Sequence, residues 1–156
     1  LEDSELVSLP LIRGQLIWVA SPEWLAEHTL GSSVHDLRQS IQICETRYAQ
    51  RRLPICIGEQ LDTLDLSQGV IQVNNPLVVR HVVLSGGGIS MLPQHYCVKP
   101  LSEGLLQQVF PHIRLELASS QLTAVYPSRR LLSPRVRVFL DFLSHICRDY
   151  TLVYQA

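Results

Sequence analysis

Short apolar blocks alternate with turn-forming residues along the whole chain, and the period within each block sets the element. GQLIWVAS (14–21) is a continuous apolar run with Ile17 and Val19 β-branched around Trp18, which predicts a buried strand. It runs into SPEWLAEH. There Ser21 is a helix N-cap, Pro22 takes the first helical position and Glu23 sits in the first turn. SSVHDLRQ (32–39) predicts a second short capped helix. IQIC (41–44) and LPICIG (53–58) are strand candidates separated by the polar, basic ETRYAQRR, and LDTLDLSQG is polar and turn-like. GVIQV (69–73) is a further strand.

NNPLVVRHVVLSG (74–86) carries the clearest internal helix signals. Asn75 caps, Pro76 starts, and Leu77, Val78, Val82 and Val83 supply an apolar face. Valine is a mediocre helix former, so a strand competes for this segment. GISMLP (88–93) is a strand ended by proline, and QHYCVKPLSEG is a loop with about one helical turn. LLQQVF (105–110) and LTAVYP (122–127) are strands, and IRLEL belongs to another. SPRVRVFLDFLSHICRDY (133–150) is a second strong helix, with Val136, Phe139, Leu140, Leu143, Ile146 and Cys147 on one face. Strands and helices in alternation predict an α/β fold with largely parallel pairing.

Three glycines in a row, Gly86–Gly88, raise the question of a phosphate loop. Phosphate cradles precede a helix, whereas these glycines follow one and lead into a strand. Neither a Gly-Lys-Ser/Thr nor a G-x-G-x-x-G follows, so they read as a helix C-cap and a close turn. The helix start lies upstream at Asn74-Asn75-Pro76, just past a strand end, where open α/β sheets bind ligands.

Composition narrows the classes. Of 156 residues 46% are apolar and 17% charged, with a net charge of −1, which suits a globular core and no general attraction to nucleic acid or anionic membrane. No apolar run reaches the length of a membrane span. The acidic beginning LEDSELVSLP lacks signal-peptide regions, and Cys44, Cys56, Cys97 and Cys147 form no C-x-x-C pair. Both point to buried thiols in a reducing, cytoplasmic setting. The histidines lack ligand spacing, and neither Cys44 nor Cys56 has a base assigned by spacing, so no metal, cofactor or enzymatic role is expected.

Candidate binding residues are those at helix starts and strand ends: Ser21, Thr46, Asn74 and Asn75. Two helix starts converging on one small anion or carboxylate would use them together, with Arg47 and Arg80 able to pair with a carboxylate. Pure capping is the competing role for Ser21 and Asn75. Arg129, Arg130, Arg135 and Arg137 read as a solvated turn and helix face.

Taken in order, LIWVASPEWLAEH, SVHDL, VIQVNNPLVVRHVVLSGGGISMLP and LTAVYPSRRLLSPRVRVFLDFL resemble the C-terminal effector-binding domain of LysR-type bacterial transcriptional regulators, over residues 3–148. The resemblance implies a periplasmic-binding-protein-like (type 2) α/β fold of two lobes with a small organic effector in the cleft between them. Residues 15–127 would form lobe two, and residues 1–14 and 128–156 crossovers and the end of lobe one. Oligomerisation, and operator DNA binding through a helix-turn-helix absent from this sequence, are also implied. An extracellular solute-binding protein of the same architecture is the alternative. Because the opening part of lobe one is absent from the sequence, helix 133–148 is expected to cover its apolar stripe by pairing with another chain, or else by folding back on residues 1–14 and 122–127.

Overall fold

The computed structural model describes residues 6–115, 120–127 and 133–153. Two compact units emerge: one from Gln15–Leu117, the other from Leu1–Gly14 with Ala118–Ala156. Residues 120–127 belong to the smaller unit.

In the larger unit, β2 (Leu16–Ala20) is buried on both faces. Trp18 and Ala20 point into a core with Leu37, Ile41, Leu53, Ile55 and Met91, while Ile17 and Val19 point into another with Ile43, Val79, Val83 and Leu92. That two-sided burial is why the run is unbroken rather than alternating. The Trp18 indole N–H donates to the Ile113 carbonyl at 2.8 Å, satisfying its one polar atom inside the core. β2 pairs antiparallel with β7 (Ser90–Pro93) and with β8 (Gln107–Gln108). β3 (Ile43–Glu45) pairs parallel with β6 (Ile71–Val73). A parallel bridge between Ile41 and Ile89, and a 2.7 Å bond from the Ser90 hydroxyl to the Ile43 carbonyl, join β3 to β7. β4 (Leu53–Ile57) lies between β5 (Gln60–Leu64) and β9 (Ile113–Leu115), antiparallel to both. The expectation of largely parallel pairing is therefore corrected: apart from the Ile41–Ile89 bridge, β3–β6 is the one parallel pairing among the described residues.

Three segments depart from the pattern reading. LDTLDLSQG opens within β5, an edge strand whose first four residues, Gln60 to Thr63, are exposed, so no apolar alternation marks it. Gly58, at φ 64°, makes the two-residue turn that joins β5 to β4. QHYCVKPLSEG forms α4 (Gln94–Ser102) despite Pro100. Pro100 has no N–H for the Tyr96 carbonyl, and the Arg80 guanidinium donates to that carbonyl at 3.1 Å instead. LLQQVF keeps only the two strand residues of β8 before Phe110 turns at φ 47°.

α1 (Pro22–Glu27), α2 (Val34–Ser40) and α3 (Pro76–Leu84) follow their caps. Ser33 and Asp36 complete a reciprocal capping box. α3 buries Val79 and Val83, whereas Leu77 and Val78 are exposed. The glycines end α3 as expected. The Gly87 N–H donates to the Val82 carbonyl at 2.9 Å, and Gly86 and Gly88 adopt φ of 81° and 101°.

In the smaller unit, β1 (Leu6–Gly14) pairs antiparallel with β10 (Ser120–Pro127), with a register shift between Pro10 and Ile12. α5 (Pro134–Val153) packs against β1. Its expected apolar face is only partly covered: Cys147 is buried and Leu140 and Leu143 are half-buried, while Val136, Phe139 and Ile146 are exposed. Arg135 and Arg137 are exposed on α5, and Arg129 and Arg130 lie outside the described residues.

Candidate functional site

The parallel pairing of β3 with β6 matches Glu45 to Val73, so the next residues, Thr46 and Asn74, leave the sheet side by side. Thr46 opens a single 3-10 turn (Thr46–Tyr48), and Asn75 caps α3. Thr46, Asn74 and Asn75 are all exposed. Three of the four expected residues therefore meet at the carboxyl end of the parallel strands.

Ser21 does not join them. β2 runs antiparallel to β7, with Leu16 opposite Pro93 and Val19 opposite Ser90, and β7 lies parallel to the chain entering β3. Ser21 consequently emerges level with Ile41, with the start of β7 between them. The stretch from Ile41 to Thr46 therefore separates it from Thr46 by about 17 Å of strand. Its hydroxyl is buried and accepts the Trp24 N–H at 3.3 Å, which is a cap's work. Two helix starts converging on one anion is thus not the arrangement found. At Ser21's end lies a separate open groove of about 410 Å³ lined by Trp24, Glu27, His28, Gln39 and Gln42. His28 stacks on Trp24 at 4.1 Å between ring centres and donates its Nδ1–H to the Trp24 carbonyl at 2.9 Å.

The helix start at Asn75 is also less open to an anion than its sequence suggests. Pro76 has no N–H, the Leu77 N–H goes to Asn75 Oδ1 at 2.9 Å, and the Val78 and Val79 N–H groups go to the Asn75 carbonyl. Arg47 and Arg80, candidates for holding a carboxylate, are engaged within the chain. Arg80 donates to Tyr96, and Arg47 Nε donates to Glu45 Oε1 at 2.6 Å.

Glu45 is the residue that pattern reading passed over. Its side chain is 9% exposed while its partner Arg47 is 54% exposed, and its second oxygen, Oε2, is buried without a hydrogen-bond partner among the described residues. The available signal was an acid closing an apolar strand with a base two residues on, in ICETR. Arg47 also lies over the Tyr48 ring, 5.1 Å from its centre. The hydrogen bond that Arg47 donates to Glu45 raises the Arg47 pKa above its ordinary value. Burial pushes the Tyr48 phenol up, against the pull of Arg47.

Cys44, Cys56, Cys97 and Cys147 are all buried. Burial raises the Cys44 thiol and pushes Cys97 up to about 12, so both stay protonated and poor as nucleophiles. Among the described residues no group of His, Cys, Asp or Glu is arranged to hold a metal, and no helix is long and apolar enough to cross a membrane.

The fold and this chain's sequence match known proteins closely enough to place it. It is 30% identical over 148 residues to the HTH-type transcriptional regulator PtxR of Pseudomonas aeruginosa, covering 94% of this chain and 47% of that protein. The solved regulatory domain of CrgA, a LysR-type transcriptional regulator from Neisseria meningitidis, superposes with a TM-score of 0.73 at 26% identity, covering 92% of this chain and 70% of that one. Full-length AphB, a virulence activator of Vibrio cholerae, has the same fold at a TM-score of 0.74 and 22% identity, covering 92% of this chain and 49% of that one. The chain spans about half the length of the curated relatives it matches. The family model of the LysR substrate binding domain matches residues 1–148, and the chain belongs to that family.

Proposed function

We propose that this chain is the effector-sensing part of a cytoplasmic LysR-type transcription factor, and that its larger unit takes a small organic effector where β3 and β6 end. The observation that carries this reading is the parallel register that sets Thr46 beside Asn74 and Asn75 at the open strand ends. Each of these short polar side chains offers both a donor and an acceptor, which suits a small, neutral or weakly charged molecule. The full regulator would assemble as a homo-oligomer and reach operator DNA through a helix-turn-helix outside this sequence. Effector binding would shift the balance between its arrangements. The curated relatives are transcriptional regulators, which favours a regulator over an enzyme or an extracellular solute-binding protein.

A small-molecule library screened by thermal shift of this chain tests the reading. Compounds that raise the melting temperature should lose most of that effect with Thr46→Val or Asn74→Ala and keep it with Ser21→Ala. Full retention with both Thr46→Val and Asn74→Ala would sink the assignment.

A further inference from the structure

Resting on that site, we infer that Glu45 selects the effector, which presents an N–H donor head, an ammonium or amide group, to Glu45 Oε2. Side chains two apart on a strand share a face, so Glu45 follows Ile43 onto the face that carries α3. Ile43, Val79, Val83 and the neighbouring Val73 pack together there. The carboxylate therefore lies on the α3 side at the end of β3, next to the strand end from which Asn74 and α3 depart. One of its oxygens is held by Arg47, and the other is buried without a donor among the described residues. Buried carboxylate oxygens are ordinarily satisfied, and a ligand N–H supplies what this one lacks.

Charge selects the same class. A carboxylate this close disfavours an anionic head, and the first N–H groups of α3 are already committed to Asn75. Arg47 is the solvent-facing half of the pair, a long side chain resting on Tyr48. Ligand access to Glu45 requires Arg47 to shift along that ring, and the guanidinium shows that the carboxylate accepts a nitrogen donor. Thr46 and Asn74 then meet the remainder of the effector.

Three probes with a common three-carbon body separate the head groups: propylammonium, propionamide and propionate. Each is titrated into the intact chain at up to tens of millimolar, a range suited to so few atoms, while backbone amide shifts are followed. Propylammonium and propionamide should move the amides of Thr46, Asn74 and Leu77, with propionate weaker by about tenfold or more. Glu45→Gln should weaken propylammonium by about tenfold and bring propionate level with it. Arg47→Ala alters a largely exposed side chain and removes a competing cation, so it should tighten propylammonium binding. It supplies the reading if Glu45→Gln fails to fold. Propionate binding those amides as well as propylammonium, or Arg47→Ala weakening the cation, overturns the role of Glu45 while leaving the site intact. Silence of those amides towards all three probes overturns the site and Glu45 together.

Discussion

At the scale of single residues, Ser21 and Cys97 show how burial decides roles. Ser21 satisfies the Trp24 N–H. Ser21→Ala should therefore cost about 1 kcal/mol of stability, read by urea denaturation, with no change in effector response. A loss of response with full stability would return Ser21 to the site. For Cys97, burial raises the thiol from an ordinary 9.0 to about 12. The folded chain keeps a proton that the unfolded chain releases above about pH 9. Its contribution to stability is complete below about pH 9 and falls as the pH climbs towards about 12. Urea midpoints measured from about pH 8 to 11 should drop less steeply in Cys97→Ala than in the parent. Equal slopes would show that the thiol is not sealed from water.

At the scale of elements, the caps and breakers were the legible part. Ser21-Pro22, Ser33 and Asn75-Pro76 each mark a helix start that the structure contains, because capping is local chemistry. β5 and α4 were not legible. The first is held by its neighbour β4 rather than by any pattern of its own, and the second survives its proline through a bond from Arg80 on another helix. Glu45 was missed for the same reason: nothing local says that an acid at a strand end is buried. The helix-to-strand turn after α3 gives a sharper test. At Gly88, with φ 101°, an added Cβ would lie 2.7 Å from Gln42 Cγ, whereas nothing lies within 4 Å of one at Gly86. Gly88→Ala should thus destabilise by about 1–3 kcal/mol and by more than Gly86→Ala, compared by thermal melting. Equal costs would mean that backbone conformation alone, and not the approach of Gln42, constrains this turn.

At the scale of the molecule, α/β class and family were readable from ordered segments, but strand direction was not. β2 and β7 are joined through elements that periodicity cannot orient, so Ser21 was grouped with residues from which the register separates it. The same scale governs α5. It turns Leu140, Leu143 and Cys147 inward but leaves Phe139 and Phe142 more than half exposed. We propose that this exposed apolar row associates with another copy of the chain. Leu143→Asp should lower the melting temperature, whereas Phe139→Asp should leave melting unchanged and reduce self-association in sedimentation runs. A clean monomer at high concentration before any substitution would show that the row does not pair.

Effector sensing where β3 and β6 end is the central claim, and the dose–response of the full-length regulator to a small molecule identified by the thermal-shift screen tests it most directly. Losing one hydrogen bond of about 1.4 kcal/mol corresponds to a tenfold change in affinity. With Asn74→Ala, the half-maximal concentration should rise by about that factor while the maximal output and the protein level stay the same. A curve that overlays the parent's would contradict the account.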